Sequence, residues 1–497
     1  MTKKSIVLVT VDCMRADHAG FMGYSRRTTP FLDSLASESF VFPAAIVAGA
    51  PTYYSLPALL ASRHALALGR DVVGIAPEEP TLASVFKQAE YATAAFGAGN
   101  PYLSSRFGYE QGFGTFRDFL ESESQAQSGD TAKSVSGNGW ASRLNRKLQQ
   151  ARPRLGRLGI LYDELYFQYC QRRAPVANSL DALRRFPAAD VIVDHACTWL
   201  ASAGDAPVFL WLHLMDPHSP YYPQEEALTL LGDSPLAPSR ARYLNAYWNR
   251  SDLGPRRLAR HREEVVRLYD AGIRWVDAQL ARLIDRLRGS NRWEDCVFVL
   301  SADHGEEFLD HDGRYHPPSR LMEELIRVPL LLRVPGSAKK EVPNTPFSLL
   351  DLAPTLLDAV GLRAPSSFRG VSRWPDVRAG TTSESVAITE CVAGCMNPLR
   401  TRDRLRARVL SIRERRFKLV LYFDQRCERL YDLEADPGEQ VPLAPGAQNA
   451  VRRRLLEIAR EHLRRSSDWH SSPERVRARL RDLRLEWASP QPSLRTE

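Results

Sequence analysis

Several short stretches of this 497-residue chain place acids, imidazoles or hydroxyls directly after or before apolar runs. From Cys296 to Glu306 the chain reads CVFVLSADHGE, so an apolar run ends in Asp303 and His304. Ser5 to Val11, SIVLVTV, delivers Asp12 in the same way, and Pro207 to Leu212, PVFLWL, leads into His213, Asp216 and His218. In an open α/β sheet, ligands collect at the carboxyl ends of strands, which makes these side chains candidate metal ligands. Asp303 taken alone reads equally well as the N-cap of a following helix. Two strands that each end in an aspartate favour one site assembled from distant segments. A further stretch, Ala50 to Leu60, crowds Thr52, Tyr53, Tyr54 and Ser55 at the start of a short helix, whose N–H groups would favour an anion. A plain helix cap is the alternative there.

The elements that must position these residues follow from periodicity. Continuous apolar runs such as Ser5 to Val11 suit strands buried on both faces. Apolar positions 265, 268, 269, 273, 276, 280, 283, 284 and 287 recur at helical spacing and predict one long amphipathic helix before the Cys296 strand. Thr29 with Pro30, and Thr81, read as helix caps. Ala92 to Gly97 and Val328 to Leu332 read as strands, and Ser348 to Gly361 as a helix broken near Pro354. Arg413 to Tyr422 reads as a strand, and Arg452 to Arg465 as a basic helix. The αβ alternation argues for a largely parallel sheet covered by helices.

With 44% apolar residues and a mean hydropathy of -0.33, the chain can bury a large core. No apolar run approaches the roughly 18 residues of a membrane-spanning helix, and the amino terminus shows no signal-peptide core. Seven cysteines, odd in number and scattered, fit a reducing cytoplasm better than a disulfide framework. The net charge of +8 is concentrated: Gly139 to Arg185 holds 10 Lys+Arg against 3 Asp+Glu, and Val451 to Glu497 holds 12 against 7. Neither stretch carries an aromatic-interleaved patch or a reader motif, so no nucleic-acid partner is expected. Solvated helix faces, or attraction of an anionic substrate or membrane surface, account for them.

Taken in order, Asp12 in VTVDCMRADH, Thr52 in APTYYSLPALLASR, His218 in DPHSPY and Asp303-His304 in SADHGEE resemble the sulfatase family within the alkaline phosphatase superfamily. YDAGIRWVDAQLARLID, EELIRVPLLLRVPG, SLLDLAPTLLDAVGL, FRGVSRWP and RLYDLEADPGEQ are similar to further family segments, and together they cover roughly Lys4 to Leu443. The resemblance implies an α/β fold: an αβα sandwich with a mainly parallel central sheet and a smaller C-terminal α+β domain. The expected organisation is a catalytic domain over 1–380 with an insertion at about 120–187, a C-terminal subdomain over 381–450, and a basic helical tail over 451–497. The resemblance also implies one divalent cation (calcium, magnesium, manganese or zinc) held by Asp12, Asp303 and His304. His218 matches a general acid to the leaving group, and His316 falls where a Lys or His touches the transferred group. Thr52 falls at the nucleophile, with His213, Arg15 and Ser55 as substrate-binding candidates and Ser55 as the rival nucleophile.

Two departures from the family pattern change the expected chemistry. The family nucleophile is a Cys or Ser oxidised to formylglycine, whereas threonine cannot give that aldehyde and the modification signal is missing, so no formylglycine is expected. Cys13 stands where most members have a second aspartate ligand. The expectation is a metal-dependent hydrolase of sulfate or phosphate esters that works through a covalent intermediate on Thr52. A phosphotransferase acting on a glycan or lipid acceptor is the first alternative, and an inactive binding homologue the second. The substrate would be an anionic ester; the sequence is silent on oligomeric state.

Overall fold

The computed structural model describes residues 3–67, 74–120, 156–174, 177–381, 385–394 and 407–467. A seven-stranded sheet runs through the larger part. Its strands are β1 (Ser5–Val11), β2 (Phe40–Val41), β3 (Ala92–Gly97), β4 (Thr115–Arg117), β5 (Val208–Leu214), β6 (Cys296–Ala302) and β7 (Leu330–Arg333), in the order β2-β7-β6-β1-β5-β3-β4. The pairs β6-β1, β1-β5, β5-β3 and β3-β4 are parallel, and β7 runs antiparallel to both its neighbours. Every residue of β1, β5 and β6 is buried, as expected for strands covered on both faces.

Register places the chemistry. Val11 pairs with Leu214 on one side and Ala302 on the other. The residues that follow, Asp12 and Asp303, therefore leave the sheet at the same edge. His213 pairs with Thr10 and with Gly97, at the same end of β3. Four helices matter most: α1 (Thr52–Ala61), α2 (Ala189–Ser202), α3 (Arg262–Gly289) and α4 (Asn449–Ser467). All nine apolar positions predicted for the stripe of α3 are buried. Its other buried side chains tie down the loop after β1. Tyr269 donates to the Cys13 carbonyl at 2.7 Å and accepts from Arg15 N at 2.8 Å. Asp270 holds His18, Tyr24 and Arg26, and Asp277 accepts from Phe31 N and Leu32 N at the start of the Pro30–Leu35 helix.

The C-terminal part is an antiparallel meander of β8 (Val386–Val392), β9 (Arg408–Glu414), β10 (Phe417–Tyr422) and β11 (Cys427–Asp432). The single strand read from Arg413 to Tyr422 is instead a hairpin turning at Arg415, which adopts φ 51° without the glycine that would have marked the turn. In helix α4, Leu455, Ala459 and Leu463 fall on one face and pack against Leu410, Ile412, Leu419, Leu421 and Leu430 of the meander, and 468–497 of the expected basic tail lies outside the described residues. The segment read as a helix broken near Pro354 is helical over Leu352–Ala359, with Pro354 in its first turn, where no helical hydrogen bond is lost. Thr29 precedes its helix without capping it, because its hydroxyl is used on Asp33. Thr81 does cap, in a reciprocal box with Ser84. Of the expected insertion, a helix over Gly156–Arg173 is described, and 121–155 lies outside the described residues. Among the described residues no helix is long and apolar enough to cross a membrane.

Candidate active site

Asp12, Cys13, Thr52, His213, Asp303, His304 and Glu306 are all buried at this one sheet edge, with His218 and His316 half-buried above them. The loop after β1 turns at once, Cys13 taking φ 62°, and its N–H donates to Asp303 Oδ1 at 3.3 Å. Asp303 Oδ1 also accepts from His304 N at 2.9 Å. Gly305 then lets the chain pass the Glu324 carbonyl, where a Cβ would lie 1.9 Å from that oxygen.

Proton positions follow from the acceptors. His304 Nδ1 lies 2.8 Å from the Gly305 carbonyl, which can only accept. The ring proton is therefore on Nδ1, and Nε2 presents a lone pair. That Nε2 lies 3.2 Å from Thr52 Oγ1, 3.6 Å from Asp303 Oδ2 and 3.7 Å from Asp12 Oδ1. His213 lies between Thr10 and Asp12: Nδ1 is 2.8 Å from Thr10 Oγ1 and Nε2 is 3.3 Å from Asp12 Oδ2. The Thr10 hydroxyl also accepts from the Trp211 indole N–H at 3.0 Å and lies 3.2 Å from the Leu212 carbonyl.

Acceptors thus converge on acceptors. Asp303 Oδ2 is buried with no hydrogen-bond partner among the described residues. A buried carboxylate left that way is costly unless a cation meets it. The donor set of Asp12, Asp303 and His304, with His213 beside it, fits a divalent cation of hard or borderline type. His304 donates its second nitrogen to the Gly305 carbonyl behind it, the arrangement that orients a ligating imidazole. Asn100 Nδ2 donates to Asp12 Oδ2 at 3.1 Å and fixes that carboxylate. Electrostatics split the two acids. Burial works against the charged form of Asp12, but His218, His213 and His304 hold its pKa well below the usual range. Asp303 is pushed up, by burial first and then by the Asp12 charge.

On the outer side, His218 Nδ1 donates to the Ser219 carbonyl, and its ring lies 5.2 Å from that of His316 and 5.4 Å from Phe186. His316 Nδ1 is 3.4 Å from Cys13 Sγ and 3.4 Å from Glu306 Oε1. The structure thus brings Asp12, Thr52, His213, His218, Asp303, His304 and His316 together. Arg15 and Ser55 stand apart. All five N–H donors of Arg15 are engaged with Asp17, Asp310 and the Glu306 carbonyl, leaving none for a substrate. Ser55 Oγ is buried in α1 and makes no hydrogen bond among the described residues. Sequence reasoning missed Asn100, Thr10 and Glu306. Asn100 lies three residues past β3, and the strand-end rule that found Asp12 could have found it.

Comparisons with known proteins give the family and the fold. Residues 4–362 match the family model described as "Sulfatase", and residues 312–462 match "N-sulphoglucosamine sulphohydrolase, C-terminal". The choline-sulfatase of Rhizobium meliloti is 31% identical over 206 residues, which are 41% of this chain and 37% of that protein. The ulvan-active sulfatase of Formosa agariphila is 24% identical over 385 residues, 74% of this chain and 64% of that protein. In both cases the match spans less than two thirds of the relative's length. The phosphonate monoester hydrolase of Agrobacterium radiobacter shares the fold, with a TM-score of 0.62 at 20% identity over 93% of this chain and 96% of that one. A 2-O GAG sulfatase does so with a TM-score of 0.64 at 17% identity, covering 94% and 93%. With the sheet order, the strand-end acids and a family match over residues 4–362 in agreement, the chain belongs to the sulfatase family.

Proposed function

We propose that this protein hydrolyses sulfate or phosphate esters, with Thr52 as the nucleophile and one divalent cation held by Asp12, Asp303 and His304. The observation that carries the reading is the 3.2 Å approach of Thr52 Oγ1 to His304 Nε2, at the point where three buried acceptors converge. When bound, the cation would polarise the ester oxygens and lower the cost of ionising a hydroxyl. The residues of the chain do the rest. Helix α1 begins at Thr52, so free backbone N–H groups face an arriving anion. Thr52 Oγ1 gives up its proton to solvent and attacks sulfur or phosphorus as the bond to the leaving oxygen breaks, and the half-buried His218 and His316 are the side chains assigned to that leaving oxygen. A protonated His218 gives that oxygen its proton, and the neutral ring then takes a proton from the water that cleaves the threonine ester.

Threonine has no geminal hydroxyl, so its ester cannot collapse by itself. That supports phosphoryl over sulfuryl transfer, and it supports a second reading in which an acceptor alcohol on a glycan or lipid replaces water. Calcium, magnesium, manganese and zinc all suit the donor types. The discriminating experiment is turnover of aryl phosphate, phosphodiester and sulfate esters by the metal-loaded protein, with and without added alcohols. Hydrolysis unaffected by alcohol supports the hydrolase, and acceleration with product capture supports the transferase. Metal binding with no turnover of any ester would support an inactive binding homologue and defeat both.

A further inference from the structure

The Gly156–Arg173 helix carries two seams on opposite faces. Glu164, Phe167 and Gln171, spaced i, i+3 and i+7, face the protein. The Phe167 ring lies 5.5 Å from Tyr243 and 6.0 Å from Tyr247 of the Pro238–Trp248 helix. Glu164 pairs with Arg250 and Arg257 at 2.8 Å each, and the Gln171 carbonyl accepts from Arg242. The carbonyls of Trp248 and Arg250 in turn accept from Arg314, two residues before His316. The helix is thus anchored on the wall that leads to His316.

On the far side, Tyr162, Leu165, Tyr169 and Arg172 recur at i, i+3, i+7 and i+10. Leu165 is 61% exposed and Tyr169 55%. The other large apolar side chains exposed among the described residues, Leu120, Val191, Leu230, Val371 and Val441, come singly from separate segments. A lone exposed apolar residue is ordinary, whereas two stacked one helical turn apart make a patch that needs a partner.

Charge names the partner. Arg172 and Arg173 are exposed at the end of the seam, and Arg173 stands over the Tyr169 ring at 5.6 Å. Around them, Gly139 to Arg185 holds 10 Lys+Arg against 3 Asp+Glu. Two of those three acids are already used, Glu164 on Arg250 and Arg257, and Asp181 on Arg184. A leucine and a tyrosine beside surplus arginine fit a surface that is anionic outside and apolar just beneath, which is the surface of an acidic phospholipid bilayer. No described helix is long and apolar enough to cross a membrane, so this one would lie on it.

We infer that the Gly156–Arg173 helix docks the protein on anionic phospholipid bilayers, with Leu165 and Tyr169 entering the headgroup layer and Arg172 and Arg173 meeting the phosphates. The docking does not depend on the ester-hydrolase reading, since its test needs no turnover. Flotation of the full chain with vesicles of phosphatidylcholine, alone or mixed with phosphatidylglycerol, is that test. Binding is expected to the mixed vesicles only, and is lost at about 1 M salt, where the screening length falls to about 3 Å. Each arginine near an acidic surface contributes about fivefold in affinity, so Arg172→Glu with Arg173→Glu should weaken binding by about 25-fold or more. Leu165→Glu with Tyr169→Glu should abolish it, and Val441→Glu, at a position 71% exposed beyond β11, should leave it unchanged. Circular dichroism and melting curves equal to wild type separate lost docking from lost fold. No flotation at low salt, equal binding to neutral vesicles, or anionic binding that neither double variant weakens overturns the inference. So does dimerisation in sedimentation velocity that Leu165→Glu with Tyr169→Glu removes, which would give the seam to a second copy of the chain.

Discussion

Thr52 Oγ1 lies 3.2 Å from His304 Nε2, although 252 residues separate them in the chain. The register of β6 on β1 sets Asp12 and Asp303 at the same edge, and the helix that begins at Thr52 reaches that edge at His304. Thr52→Ala should lower ester turnover by several orders of magnitude, whereas Thr52→Ser, which keeps a hydroxyl at that atom, should retain a measurable fraction. Ser55→Ala should change turnover little. Steady-state kinetics of the three variants check this, and a silent Thr52→Ala would remove the nucleophile assignment.

Asn100 touches Asp12 through one hydrogen bond of 3.1 Å and is braced by Tyr102 N on its own Oδ1. Residues that orient a ligand typically change metal affinity by about 10–100-fold when removed. Asn100→Ala should therefore weaken cation binding by about that factor in a competition titration with a chelating indicator. An affinity equal to wild type would mean that Asp12 is held without it.

Gly305 has no room for a side chain, since an added Cβ would meet the Glu324 carbonyl at 1.9 Å. Gly305→Ala must push apart the loop that carries His304 and the segment before β7. Overpacking of this kind costs about 1–3 kcal/mol. Thermal melting should fall accordingly, and cation affinity should fall with it because Asp303 and His304 move. A melting temperature unchanged from wild type would contradict the packing described.

The His311–Glu324 pair gives the fold a pH signature. Burial alone would pull the imidazole down, but the Glu324 carboxylate 2.7 Å away, with the Glu439 carbonyl, lifts it from 6.5 to about 9. A group raised in the fold contributes its full stability below its unfolded value and loses it as pH rises through its folded value. The melting-temperature gap between wild type and His311→Gln should be widest below about pH 6.5 and close as pH passes about 9. A gap that does not change over this window would show that the pair is not ionised as the geometry implies.

The acidic edge of the site was legible because apolar runs of fixed length end in Asp12 and Asp303, and strand ends of a parallel sheet share an edge. The stripe of α3 was legible for a similar reason, one period repeated over nine positions. Arg15 was not. Its partner Asp310 is 295 residues away, and no local pattern announces that every guanidinium donor is used. Glu306 reads in sequence as one acid of a Gly-Glu-Glu turn, and only burial shows that it lacks partners. The hairpin at Arg415 was missed because tertiary pairing holds a left-handed arginine where glycine would have signalled the turn.

The most direct measurement is intact-protein mass spectrometry after rapid quenching of metal-loaded protein with phosphate and sulfate esters, followed by peptide mapping. The expected result is the addition of one phosphoryl or sulfuryl group, located on Thr52 and absent from Thr52→Ala. Continued turnover with the label on Ser55, or with no covalent adduct under single-turnover conditions, would contradict it.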